Sequence, residues 1–228
     1  AEELKLALLG QADVLSRVRP AVVYIDIIDD ITVKESLTVS LDNAVIRGAG
    51  GALLTTGTHL VNCFVLNGND NVKFSGLQFL LEDGRSGLDV CKSAFYAEGV
   101  VTNIIVEDCL FIQVGIAIET TSSGQFTYSR FSGNTFEQAG SDNYDMYGNF
   151  DHCIISDNIF KNTVNGMHLT GDLTCANNSI SNNVFENSGN AVIDTASGDD
   201  NNAIGNNAGA GSSNYNYDIF NDEFGENT

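Results

Sequence analysis

Three copies of one short pattern decide the fold: Phe131-Ser-Gly-Asn-Thr-Phe136, Ile155-Ser-Asp-Asn-Ile-Phe160 and Ile180-Ser-Asn-Asn-Val-Phe185. Each copy places an apolar residue, small or polar residues, an Asn, one further residue and a Phe in that order. Earlier and later copies are less regular: Phe74-Ser-Gly-Leu-Gln-Phe79, Val106-Glu-Asp-Cys-Leu-Phe111 and Ile204-Gly-Asn-Asn-Ala-Gly209. From Phe111 onward the copies recur every 24 or 25 residues.

A period of 24–25 residues with Asn in register is typical of one turn of a parallel β-solenoid. We expect the amides to stack at a tight bend and to hydrogen-bond along the axis, with the Phe side chains pointing inward. A second strand in each turn is predicted from Gly115-Ile-Ala-Ile118, Gly166-Met-His-Leu169 and Asn190-Ala-Val-Ile193. The ladder positions are Asn134, Asn158, Asn183 and Asn207.

The chain divides into a short cap and one long domain. Residues 1–20 carry Leu4, Leu8, Leu15 and Val18 at helical spacing, which predicts an N-terminal helix that covers the open end of the solenoid. Residues 21–228 are predicted to form a single solenoid domain.

The composition excludes some classes of partner. The chain has 228 residues and a net charge of −20, so it repels phosphate backbones and we expect no binding to nucleic acid. No apolar run is long enough to span a membrane. Residues 131–228 hold 14 acids and one base, Lys161, and such a segment favours divalent cations or a basic partner. The chain begins at Ala1, which fits a processed secreted protein or a trimmed one.

The Asn ladder and the opening stretch Val45-Ile-Arg-Gly-Ala-Gly50 resemble the right-handed parallel β-helix proteins of the pectate-lyase-like superfamily, of the cell-surface repeat type. The resemblance covers roughly residues 20–210 and implies an all-β, right-handed parallel β-helix. The superfamily includes polysaccharide lyases, hydrolases and epimerases, phage tailspikes, adhesins and surface repeat proteins. No catalytic motif of these families matches this chain residue by residue.

Candidate catalytic residues follow from the outward face of the second strand. If Ile118, Met146 and Leu169 stack inward, two outward columns form. They are Ala117, Asp145, His168 and Val192, and Glu119, Tyr147, Thr170 and Asp194. Adjacent turns lie ~4.8 Å apart, so Glu119, Asp145, Tyr147, His168 and Asp194 could serve acid–base chemistry on a glycan. The alternative is a solvated acidic face.

Metal sites and cysteines offer further candidates. Oxygen-rich turns predict a possible Ca²⁺ site at Asp142 and Asp145 or at Asp199 and Asp200, although ordinary Asx turns explain them equally well. Cys153 and Cys175, 22 residues apart, are expected to stack as a disulfide or as buried thiols. An odd count allows an intermolecular disulfide. The five cysteines are Cys63, Cys91, Cys109, Cys153 and Cys175.

Two hypotheses of different class follow. The first is an extracellular structural protein that self-assembles into a surface layer, sheath or fibre, with itself as partner and possible disulfide linkage. The second is a polysaccharide-processing enzyme or a tailspike-type glycan binder.

Overall fold

The structure, a computed structural model, describes residues 2–9, 22–55, 61–80, 93–137, 144–170, 173, 175–187, 190–194, 203–205, 208–210, 218–219 and 223–224.

Within these residues the chain forms one helix, α1 (Glu2–Leu8), and 28 short strands. The strands are, in chain order, β1 (Val23–Ile27), β2 (Ile31–Thr32), β3 (Leu37–Val39), β4 (Ala44–Gly48), β5 (Leu53–Thr55), β6 (Phe64–Leu66), β7 (Val72–Ser75), β8 (Gln78–Leu80), β9 (Ser93–Ala97), β10 (Val100–Thr102), β11 (Ile105–Glu107), β12 (Leu110–Ile112), β13 (Ile116–Thr120), β14 (Gln125–Thr127), β15 (Arg130–Ser132), β16 (Thr135–Glu137), β17 (Met146–Gly148), β18 (Phe150–Asp151), β19 (Ile154–Ser156), β20 (Ile159–Lys161), β21 (Asn165–Leu169), β22 (Ser179–Ser181), β23 (Val184–Glu186), β24 (Asn190–Asp194), β25 (Ala203–Gly205), β26 (Ala208–Ala210), β27 (Asp218–Ile219) and β28 (Glu223–Phe224).

The strands assemble into three long parallel sheets and one short one, so the predicted parallel β-solenoid is confirmed. Sheet A has the order β1-β4-β7-β11-β15-β19-β22-β25-β28 and sheet B the order β2-β5-β8-β12-β16-β20-β23-β26. Sheet C has the order β3-β6-β9-β13-β17-β21-β24-β27, and sheet D joins β10, β14 and β18. Each turn therefore gives one strand to each long sheet, and the sheets enclose the core between them.

The predicted Phe stack runs through the core along sheet B. Neighbouring rings lie nearly parallel, with centroids 5.1, 4.9, 4.5 and 4.7 Å apart. All five side chains have exposures of 1% or less. Because each ring meets its equivalent in the next turn, the 24–25 residue period is fixed by the core itself. The stacked residues are Phe79, Phe111, Phe136, Phe160 and Phe185.

The Asn ladder forms where sheet A turns into sheet B. The Nδ2 atom of Asn134 donates to Oδ1 of Asn158 at 3.0 Å, and Nδ2 of Asn158 donates to Oδ1 of Asn183 at 2.9 Å. Each Oδ1 also accepts the backbone N–H of the ladder residue one turn earlier, beginning with Cys109 N–H to Asn134. All three amides are buried, so the ladder satisfies backbone groups that a tight corner would otherwise orphan. Asn207 lies outside the described residues.

The corners between sheets require left-handed backbone. Twelve non-glycine residues have φ between 51° and 59°. Most are Asn or Asp, whose short polar side chains tolerate this conformation best. They are Asn43, Asn71, Asn103, Asp108, Gln113, Tyr128, His152, Asp157, Asn162, Asn177, Asn182 and Asn187.

The helix α1 covers the outermost strand of sheet C. Leu4 and Leu8 are buried, and the backbone N–H of Ser40, just after β3, donates to the Leu8 carbonyl at 3.0 Å. The predicted N-terminal helix thus exists over residues 2–8 and partly protects this sheet edge. Leu15 and Val18, which were expected to belong to it, lie outside the described residues.

Candidate functional site

A straight column of polar and aromatic side chains runs across the outer face of sheet C. Tyr96 pairs with Glu119, Glu119 with Tyr147, and Tyr147 with His168, each from an adjacent strand. All four side chains are half-buried. We call these residues, together with Tyr144, the sheet C strip. The strip brings Glu119, Tyr147 and His168 into one line, as their spacing allows.

The expected register of His168 is wrong by one residue. Met146 pairs with Met167, not with Leu169, because the turn from Met146 to Met167 spans only 21 residues. Both methionines are fully buried and fill the same core column. His168 therefore stands beside Tyr147 rather than beside Asp145. Leu169 pairs with Gly148 one position further along.

The expected outward position of Asp145 is also wrong. Its backbone N–H is shared between the carbonyls of Asn165 and Gly166, and its own carbonyl accepts the N–H groups of Ala117 and Ile118. This doubled pairing at the start of β17 is a local irregularity of the kind that redirects a side chain. The Asp145 carboxyl is consequently buried completely and does not belong to the sheet C strip.

Burial raises the pKa of Asp145 well above its ordinary value, and the nearby Thr163 hydroxyl opposes this by hydrogen bonding. Neither carboxyl oxygen has a hydrogen bond of good geometry within the described part of the chain. We give the burial more weight than the Thr163 contact, because an ion with so few partners is strongly disfavoured away from water. Asp145 is therefore held in its protonated form rather than as a catalytic carboxylate.

Three aromatic rings cluster at one end of the sheet C strip. The centroids of Tyr144 and Tyr147 are 5.5 Å apart, those of Tyr144 and His168 are 4.8 Å apart, and those of Tyr147 and His168 are 5.2 Å apart. Partial burial lowers the pKa of His168, which favours the neutral imidazole. The cluster offers a ring surface with polar edges, the chemistry that suits the apolar faces and hydroxyls of sugars.

The other end of the sheet C strip carries its carboxylate. The Ser93 hydroxyl donates to Oε2 of Glu119. Burial raises the pKa of Tyr96, and the charges of Glu119 and Glu98 raise it further. Glu119 thus presents a fixed, partly shielded hydrogen-bond acceptor to a ligand lying along the column. Asp194 is opposite Leu169 in the strand pairing, and the orientation of its side chain lies outside the described structure.

The cysteines that the structure describes are free and buried. They are Cys63, Cys109, Cys153 and Cys175. Cys153 N–H donates to Asn178, whereas Cys175 Sγ accepts from the Phe150 N–H, so the two thiols lie in different columns and do not stack as expected. Burial raises the pKa of Cys109 and of Cys153 to about 12, which makes both thiols unreactive in the folded state. Cys91 lies outside the described residues.

No group of three metal-binding side chains occurs in the described ranges. The candidate calcium residues Asp142, Asp199 and Asp200 lie outside those ranges, and Asp145 is buried. A calcium site at these turns therefore stays a prediction.

A second surface was missed in the sequence. On the outer face of sheet A a groove of about 560 Å³ is lined by Lys73, Ile105, Tyr128 and Arg130, with Asn residues of the corner along one wall. A signal for it exists in the sequence, because Asn103, Tyr128, His152 and Asn177 follow one another at intervals of 25, 24 and 25 residues. Tyr128 and His152 therefore interrupt a column of Asn.

No family model matches this chain, and comparisons with curated proteins and with solved structures gave no significant match. In the part of the chain that the structure describes, no helix is long and apolar enough to cross a membrane.

Proposed function

We propose that this protein is an extracellular glycan-binding β-solenoid whose sheet C strip contacts the carbohydrate. The observation that carries the proposal is the mutual contact of Tyr144, Tyr147 and His168 at 4.8–5.5 Å on an outward face, in line with Glu119. Half-buried aromatic rings next to a fixed acceptor provide both stacking and hydrogen bonding for a sugar chain.

The strip also fits a linear polymer in its dimensions. Successive residues of the column belong to adjacent turns, ~4.8 Å apart, so Tyr96, Glu119, Tyr147 and His168 together extend over roughly 15 Å. A ligand of two or three sugar units lying parallel to the solenoid axis would contact every rung.

The test is binding to a panel of neutral and acidic oligosaccharides, followed by titration of the best ligand against variants. Tyr147→Ala and His168→Ala should each weaken binding about 5- to 30-fold, because a stacked ring contributes on the order of 1–2 kcal/mol. Tyr24→Ala is the matched control, since Tyr24 is a 64% exposed tyrosine on the outer face of sheet A. Equal affinity of the Tyr147 and His168 variants and the parent would refute the proposal.

The same residues supply a carboxylate and a neutral imidazole, so processing of the bound glycan is a natural extension. Glu119→Gln and His168→Ala should then abolish turnover of the ligand identified above, whereas binding alone would survive Glu119→Gln in part. Turnover that is unchanged in both variants would assign the strip to binding only.

Self-assembly into a surface layer or fibre is the second candidate, because the strand ladders of a solenoid can continue into another copy. The helix α1 covers β3, so such a contact must displace α1 or use the edges of sheets A and B. Electron microscopy of the native chain tests this: filaments that shorten when residues 1–9 are fixed by a cross-link would support it, and uniform monomers would count against it.

A further inference from the structure

One corner column of the solenoid contains two residues that its backbone disfavours. The positions preceding the strands of sheet A all have φ between 51° and 58°, and four of the six are Asn. The other two are Tyr128, at 51°, and His152, at 55°. Left-handed backbone is rare for bulky side chains, and residues held in it cluster at functional sites.

The solenoid imposes this backbone on both residues. The N–H of Tyr128 donates to the Asp151 carbonyl at 3.0 Å, and the N–H of His152 donates to the Ala176 carbonyl at 2.8 Å. Asn103 makes the equivalent bond to Thr127. Since an Asn would make the same backbone bonds with less strain, the backbone offers no reason for Tyr and His at these positions.

Core packing offers no reason either. The Tyr128 side chain is 59% exposed and the His152 side chain 41% exposed, and their ring centroids lie 4.8 Å apart at the surface. His152 Nδ1 is 3.0 Å from Asp151 Oδ1, which fixes the ring orientation. The pair is thus an oriented aromatic platform open to solvent.

A groove with positive charge adjoins this platform. Arg130 and Lys73 lie two turns apart in one outward column of sheet A, with Ile105 between them, and all three line the groove with Tyr128. The volume of about 560 Å³ is in the range of small-ligand sites.

The charges in the groove leave room for an anion. Both Lys73 Nζ and Arg130 Nη2 contact the carboxylate of Glu107, so a single acid neutralises two bases there. The nearest other acid on the wall, Asp70, accepts hydrogen bonds from the amides of Asn71 and Asn103. Charges elsewhere on this acidic chain are screened beyond ~8 Å at physiological ionic strength.

We propose that the groove on sheet A, with the Tyr128–His152 platform, is a binding site for a sugar unit that carries a carboxylate or sulfate group. Arg130 presents a planar fork to the anionic group and Lys73 a second positive charge, while Tyr128 and His152 stack on the apolar face of the ring. The amide of Asn103 is placed to bind ring hydroxyls. This site lies on a different face from the sheet C strip and does not depend on it.

The experiment is isothermal titration with three probes: an oligomannuronate hexamer, a sulfated carrageenan hexamer and neutral cellohexaose. The first or second should bind in a salt-dependent manner and the third at least tenfold more weakly. A preference between the first two identifies the anionic group. Failure of both charged probes to bind the parent protein, or equal binding of cellohexaose, would overturn the proposal.

Two variants locate the site. Tyr128→Asn restores the residue type of the column, so it should raise the melting temperature by roughly 2–4 °C while weakening the charged probe about tenfold. Arg130→Gln should weaken it by a similar factor and reduce the salt dependence.

The control is Tyr147→Ala, which alters the sheet C strip and should leave this binding unchanged. Charged-probe affinity that is retained in both Tyr128→Asn and Arg130→Gln would refute the site. If the charged probe instead loses affinity in Tyr147→Ala alone, the sheet C strip is the binding site and the groove is not. Loss in the groove variants with no effect of Tyr147→Ala would support the groove even if the sheet C strip binds nothing.

Discussion

Truncation of the central ladder residue, Asn158→Ala, should destabilise the protein more than any change at the surface. The amide of Asn158 makes four buried hydrogen bonds: it donates to the Phe131 carbonyl and to Asn183 Oδ1, and it accepts from the N–H and Nδ2 of Asn134, at 2.9–3.0 Å. In the variant the Asn134 N–H loses its acceptor, whereas Nδ2 of Asn134 retains the Val106 carbonyl.

The magnitude follows from these bonds. An orphaned buried N–H costs about 1–3 kcal/mol, and each of the other three lost bonds about 0.5–1.5 kcal/mol. We expect a loss of about 3–6 kcal/mol in the free energy of unfolding, measured by urea denaturation followed by circular dichroism. For a chain of this length, the melting temperature should fall by roughly 6–24 °C.

The matched control is Asn162→Gly. Asn162 also stacks an amide on the next turn, since Nδ2 of Asn187 donates to its Oδ1 at 3.1 Å, but this pair is exposed to water. Glycine keeps the left-handed backbone of that corner, so the change should stay within about 0.5 kcal/mol. A loss for Asn158→Ala no larger than that of the control would show that the ladder does not stabilise the fold as argued.

Two further predictions concern sheet C. Because burial raises the pKa of Asp145, the folded state binds a proton that the unfolded state releases above about pH 3.8, and stability through this group falls as pH rises from that value toward the folded pKa. Asp145→Asn should remove this slope, so its advantage over the parent in urea unfolding should grow from pH 4 to pH 8; parallel curves would contradict the burial. Gly148 has φ 136° and a Cβ there would overlap the Thr120 side chain, so Gly148→Ala should cost on the order of 3 kcal/mol. The control Gly68→Ala, with φ 72° and open space, should cost about 1 kcal/mol, and equal losses would exclude the steric cause.

The architecture was predictable because its determinants are periodic in the sequence. The Phe and Asn positions each repeat at 24–25 residues, and both the ring stack and the ladder need equivalent residues one turn apart. Cys109 illustrates the strength of the pattern: it occupies the ladder position, and its N–H still donates to Asn134 in the next turn. A repeat of this kind determines which residues meet before any side-chain detail is known.

The sheet C strip was predicted less completely because its register is not periodic. The step from Met146 to Met167 is shorter than the ladder step by three or four residues, and the irregular pairing around Asp145 absorbs one position. Neither feature leaves a repeated signal, so counting from Leu169 placed His168 in the wrong column. Glu119 and Tyr147 were placed correctly since β13 and β17 pair in the expected register.

The two outward surfaces differ in how they relate to stability, and this difference separates them from ordinary surface. On sheet C, the buried Asp145 lies within the first turn of the strand that carries Tyr147, so an energetic penalty adjoins the aromatic cluster. On sheet A, Tyr128 and His152 occupy a backbone conformation that Asn adopts at less cost in the same column. In both places a less costly residue is chemically obvious, Asn for Asp145 and Asn for Tyr128 or His152. A solenoid optimised for stability alone would contain those residues, and the costly ones adjoin the two surfaces that we assign to ligands.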